Sequence, residues 1–198
     1  TFSTTSLLAG INQPFGRQRF FADAAARYNR YGDNSQLDNT GYGVAIGLDW
    51  ETIESLSGRL SYNLNQSLAR YGADEGPALT TKNMERSQEF LARVQYGRAA
   101  LLSLEGAFSH RELDYSASQF AFEEYKQDAL SLGVLYRPSG LLTLGAAARH
   151  TKGKYPFAVQ TSPGVFQPDD FTRNDLDLTA VWVPTGLSTV SARLSYTK

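Results

Sequence analysis

The chain has 198 residues, 19 Lys and Arg against 20 Asp and Glu, a net charge of −1 and no cysteine. Nothing in that balance calls for a nucleic-acid partner, and a disulfide framework, a thiolate nucleophile or a Cys metal site is excluded. No apolar run approaches the ~18 residues of a membrane-spanning helix, but a transmembrane β-strand needs only ~9–11 residues and stays open. Seventeen Gly and eleven Tyr favour sheet and turn over helix. The chain begins on strand-like sequence at Thr1, with no basic and then apolar leader, so it reads as a mature form or as a piece of a longer chain.

Taken in order, the chain alternates with a period of two, the signature of β-strands. The first strand, about Thr4 to Gln13, puts Leu7, Ala9 and Ile11 on one face and ends at Pro14-Phe15-Gly16. The second, about Arg17 to Arg30, sets Phe20, Ala22, Ala24, Ala26 and Tyr28 against Arg19, Asp23 and Arg27. Its alanines suit a helix, but the charges keep strand parity. After a polar loop from Gly32 to Asn39, the third strand sets Tyr42, Val44, Ile46, Leu48 and Trp50 against Gly41, Gly43, Ala45, Gly47 and Asp49. The fourth opposes Leu56, Leu60, Tyr62, Leu64 and Leu68 to Arg59, Asn63 and serines. A long loop, about Gly72 to Asn83, follows.

The fifth and sixth strands put Phe90, Ala92, Val94, Tyr96, Leu102, Leu104 and Phe108 opposite Glu89, Arg93, Glu105 and Arg111. Another long loop spans about Asp114 to Glu124. The next hairpin turns at Arg137-Pro138-Ser139-Gly140, where Pro presets φ and Gly is free to take a positive one. Its continuous apolar face is Leu130, Leu132, Val134, Tyr136, Leu142, Leu144, Ala146 and Ala148; its other face is small and polar, with Arg149. The longest loop is expected from about Lys152 to Thr172. Two last strands join at Pro184-Thr185-Gly186, with Leu176, Leu178, Ala180, Trp182, Val190, Ala192, Leu194 and Tyr196 opposite Asp175, Asp177 and Arg193.

Connections therefore alternate short and long, and the strands reach the short turns through aromatics: Phe15, Trp50, Tyr96, Tyr136 and Trp182. An aromatic girdle at one rim, short turns on one side and long loops on the other describe an outer-membrane barrel. The expected fold is all-β: an antiparallel up-and-down transmembrane β-barrel, about ten strands in five hairpins over residues 1–198. The first strand descends into a short turn and the last ascends from one, so both ends are expected at the extracellular rim. That reads as an internal fragment of a larger barrel, with the long loops extracellular. Outer-membrane lipid is the expected partner and the bacterial outer membrane the location.

The lumen parity carries Arg19, Asp23, Arg27, Asp49, Arg59, Asn63, Glu89, Arg93, Glu105, Arg111, Arg149, Asp175, Asp177 and Arg193. Arg pairs bidentately with carboxylates. The set reads either as a ladder of ion pairs that stiffens the wall or as a track for an anionic or hydroxyl-rich solute. Lys82, Lys126, Lys152 and Lys154 sit in or beside the long loops. His110 and His150 fall on the apolar parity near the outer rim, where an imidazole suits the headgroup level. Ser109 and His110 point to opposite faces and make no catalytic dyad. Asp33-Asn34, Asp38-Asn39 and Asp169-Asp170 have the oxygens for a hard cation, or form turns. No cofactor, metal or enzymatic activity is expected.

Three stretches, GRQRFFADAAARYNRYGDNSQLDNTGYGVAIGLDW, LSLGVLYRPSGLLTLGAAARHTKGKYP and FTRNDLDLTAVWVPTGLSTVSARLSYTK, resemble the EpsL-like outer-membrane proteins encoded in exopolysaccharide operons, often beside exosortase genes. The resemblance spans the chain and lies in the order of short motifs (GRQR, YRPSG, KYP, TGLS). It implies a porin-like barrel taking part in exopolysaccharide biosynthesis or export, with the polymer and export-machinery proteins as partners. A non-conducting scaffold that docks such machinery and a general diffusion porin are the alternatives. The resemblance brings no catalytic residues.

Overall fold

The computed structural model describes residues 1–53, 55–69, 82–97, 100–162, 164–185 and 188–198. Among them the chain forms β1 (Phe2–Phe15), β2 (Gln18–Tyr31), β3 (Asn39–Glu51), β4 (Leu56–Leu68), β5 (Met84–Tyr96), β6 (Leu102–Tyr115), β7 (Tyr125–Ser139), β8 (Leu142–Ser162), β9 (Val165–Thr185) and β10 (Ser188–Thr197). These make a single antiparallel sheet in sequence order, β1 through β10. Each strand pairs only with its chain neighbours, and β1 and β10 do not meet one another among the described residues. The alanines of β2 are strand because both neighbours zip onto them: Ala24 faces Ala9 on one side and Val44 on the other.

Burial is inverted relative to a water-soluble sheet. The buried polar residues are Asn39, Ser57, Asn83, Ser103, Thr151 and Asp177, while the buried apolar ones are Ala69 and Ala129 alone among the described residues. Bulky apolar side chains of one parity stand exposed, as with Leu130 and Leu132 at 53% and 64%. Such a face is stable only against an apolar solvent. On β3 the band runs from Tyr42 to Trp50, the length a tilted strand needs to cross a bilayer, ~9–11 residues. At its far end stand outward polar pairs. The Nδ1 of His110 lies 2.8 Å from Asp128 Oδ1, and the Nδ1 of His150 lies 2.7 Å from Asn174 Oδ1. At the near end Phe15, Trp50, Tyr96, Tyr136 and Trp182 all share the apolar parity beside the short turns.

Three expectations change. The span Lys152–Thr172 is not a loop: β8 and β9 continue as a paired hairpin as far as Ser162 and Val165, and Gly164 turns at φ 77°. Tyr155, Phe157, Val159, Val165 and Phe166 are strand formers, and Phe157 and Phe166 pack edge to face at 5.3 Å. Pro156 and Pro168 had made the segment look like loop. Second, the turn of the β7–β8 hairpin falls at Gly140 and Leu141, after a register shift past Tyr136, and Gly140 keeps a negative φ. Third, the stretch 114–124 is strand to Tyr115 and then a 3-10 turn, Ser118–Glu123, packed against β6 and β8. Most of the expected loop 72–83 lies outside the described residues.

Candidate functional site

The inward face is where the chemistry is. The registers of the nine strand pairs put every charged residue expected in the lumen on this one face. Most are joined in ion pairs. Near the short turns Asp49 receives Arg19 from β2 and Arg59 from β4. Arg19 Nε donates at 3.0 Å, and Arg59 donates through Nε at 2.5 Å and Nη2 at 3.0 Å. Both guanidiniums hang over the ring of Phe21, at 5.4 and 5.7 Å from its centre. Phe21 in turn lies across Gly47, its cross-strand partner, in space that any Cβ there would occupy.

The remaining pairs follow the sheet. Arg111 donates to Glu89 at 3.0 Å, and Arg93 approaches Glu105 at 3.5 Å. Asp177 accepts from Arg193 at 2.8 and 3.1 Å and from the Ser195 hydroxyl at 2.5 Å. Asp175 accepts from Arg173 at 3.1 Å and Thr197 at 2.8 Å. Arg149 and Asn63 share this face without a side-chain hydrogen bond among the described residues, Arg149 opposite Asp175 and Asn63 opposite Glu89. Asp23 lies over Gly10.

Arg27 differs from the paired arginines. Its cross-strand neighbours are Ser6 and Gly41, neither of which offers a carboxylate. It projects into a trough of about 670 Å³ at the end of the long connections, within the usual ~300–1,000 Å³ of small-molecule sites. Ser6, Asn65 and Ser67 line the same trough, and like Arg27 they have no side-chain partner among the described residues. Asn29 is held by Thr4 and Asn39 at 2.9 and 3.0 Å. Phe2 and Tyr31 close the end of the trough with ring centres 5.1 Å apart.

The other sequence candidates resolve into structural contacts. Asp33 takes the N-terminal ammonium at 2.8 Å, Asp38 accepts from the Tyr31 amide at 2.7 Å, and Asn39 donates to the Leu37 carbonyl at 2.9 Å. Among the described residues no group of three metal-ligating side chains assembles. His110 is committed to Asp128 on the outward face, away from Ser109. Sequence reasoning missed the inward aromatics. Phe2, Phe21 and Tyr31 stand on the polar parity, and so do Tyr125, Tyr155 and Phe171, whose rings follow one another at 6.1 and 5.8 Å. Their signal was available: each is a large ring on a face otherwise made of small or charged residues.

No protein-family model matches the sequence, and no curated protein does. Solved structures do match in shape. The outer-membrane channel DcaP of Acinetobacter baumannii superposes with a TM-score of 0.64 at 14% identity, over 98% of this chain and 54% of that one. A loop-deletion form of OmpT, an outer membrane protein of Vibrio cholerae, gives 0.60 at 13% identity, over 91% and 57%. The FrpB iron transporter of Neisseria meningitidis gives 0.55 at 16%, over 97% and 36%. The fold is that of an outer-membrane β-barrel. The chain spans about half the length of the first two of these barrels. This fold, with its exposed apolar band and polar inward face, places the protein in a bacterial outer membrane, with lipid against the apolar face and a porin-like architecture within.

Proposed function

We propose that the chain forms part of the wall of a conduit that passes or gates a hydroxyl-rich or polyanionic polymer, an exopolysaccharide by the resemblance of its sequence. The observation that carries this reading is the inward face: charged and hydroxyl side chains line it from the short turns to the long connections, as a wet passage requires. The free edges of β1 and β10 leave unpaired backbone groups that lipid does not satisfy, so on this reading further strands complete the barrel, with the long connections outside the cell. The same reading assigns transport and no bond-breaking step.

A second reading has its own observation. The β8–β9 hairpin runs past the last β7 pair at Lys154 and offers a docking arm for export machinery, which a non-conducting scaffold would use. Conductance of the full-length protein in planar bilayers decides between them. The conduit predicts stepwise ionic currents, together with loss of surface polysaccharide when the gene is deleted. A folded, inserted barrel without current, in cells that still lose the polysaccharide on deletion, establishes the scaffold instead.

A further inference from the structure

We propose that the trough between β1 and β4 is a subsite for an acidic sugar unit, with Arg27 taking its carboxylate and the Phe2–Tyr31 pair receiving its ring. The inference rests on the conduit reading and names the ligand chemistry of one place within it. Four facts converge. Arg27 is a lumen arginine left without a carboxylate among the described residues, whereas Arg19, Arg59, Arg93, Arg111 and Arg193 all have one. A guanidinium held by nothing internal has its planar fork free for bidentate contact with a carboxylate from outside.

Second, the groups around it suit a sugar. Ser6, Asn65 and Ser67 have their hydrogen-bonding capacity uncommitted among the described residues, and ring hydroxyls are both donors and acceptors. Third, Phe2 and Tyr31 stand at one end with their rings tilted by 47°, and an aromatic face accepts the C–H face of a pyranose as it accepts other apolar surface. Fourth, the residue across from Arg27 is Gly41, where a Cβ would come within 2.9 Å of the Gln66 carbonyl. The β3 and β4 backbones therefore close the floor tightly, and Gly41 puts no side chain beside the guanidinium.

The surrounding charges agree with an anionic guest. Lys82 adds a cation at the rim, donating to the Asp38 carbonyl at 2.7 Å. Glu85, opposite Ser67, receives the Tyr115 hydroxyl at 3.3 Å. Asp23 is the next inward charge along β2, roughly 13 Å from Arg27 at ~3.3 Å per residue, more than a Debye length at physiological salt.

The test uses the full-length protein in detergent and in planar bilayers, with a hexameric oligogalacturonate and maltohexaose as acidic and neutral probes. At low salt the unaltered protein should bind the acidic hexamer at least tenfold more tightly. That preference should fade as salt rises from ~0.1 to ~1 M and the Debye length shrinks from ~10 to ~3 Å. Arg27→Gln should erase the preference, Arg30→Gln on the outward face of the same strand should keep it, and Tyr31→Ala should weaken both hexamers. Equal binding of the two hexamers by the unaltered protein overturns the proposal even if Arg27→Gln fails to fold. So does an Arg27→Gln protein that keeps the preference, and an unaffected Tyr31→Ala protein removes the ring contact. A barrel that conducts but ignores acidity fails this inference alone; a barrel without current fails the conduit.

Discussion

Two arginines on one face of one strand meet different fates. Arg19 and Arg27 both point inward from β2, with Phe21, Asp23 and Ala25 of the same parity between them. Arg19 finds Asp49 across the β2–β3 register and shares it with Arg59; Arg27 finds glycine in the same relation. The first belongs to a closed cluster seated on Phe21, where every charge is answered within the wall. The second opens onto the trough, and among the described residues its donors are uncommitted. Residue type alone does not separate structure from binding here. The cross-strand neighbour does, because in a sheet the directly opposite pair is the unit of interaction.

That contrast holds only if both arginines are on the wet face, so the largest blow comes from reversing faces. Ile46→Arg puts a cation mid-band towards lipid and should cost about 2–4 kcal/mol. Ala45→Arg, one residue away, puts it inward beside Asp23 and should cost much less. Urea titration of the full-length protein folded into vesicles measures both, and equal losses would contradict the assignment of faces. A middle-sized effect is expected from Asp49→Asn, which strips the shared anion from Arg19 and Arg59. Both guanidiniums are about half exposed, 46% and 47%, so solvent takes over part of the lost interaction and the cost should be about 1–2 kcal/mol. Smallest is Arg27→Gln, which breaks no internal pair and should change stability by under about 0.5 kcal/mol in the same titration. A loss as large as that of Asp49→Asn would make Arg27 part of the scaffold and erase the contrast.

Much of the sheet was legible because lipid selects side chains so sharply. Tyr42, Val44, Ile46, Leu48 and Trp50 state both period and face, and the short turns fix where each strand reverses. The partnership of charges was not legible, since it depends on register. Nothing in the sequence around Asp49 says that it meets two arginines, nor that Arg27 meets Gly41. Phe21 was visible as a large ring on a polar face, but its role was not: it makes sense there only once Gly47 is known to lie beneath it. The β8–β9 arm was missed through its prolines. Pro156 and Pro168 argue against a central strand, and the segment is strand all the same because it has no outer neighbours whose hydrogen bonds a proline would break.

Those prolines also bear on how such barrels live side by side. Past Lys154 on β8, and before Asn174 on β9, the hairpin has neither β7 nor β10 alongside among the described residues, and it reaches roughly 20–25 Å beyond its β7 neighbour. Two ragged margins of that length, carrying Tyr155, Phe157, Val159 and Phe166, are the kind of template onto which a strand from a neighbouring molecule zips. Pro156 and Pro168 each leave the arm one amide fewer to offer, and Asp169 and Asp170 put like charges on the approach. In a crowded membrane, where copies of one barrel collide sideways for the life of the cell, the arm stays tall and apolar without becoming adhesive to its own kind.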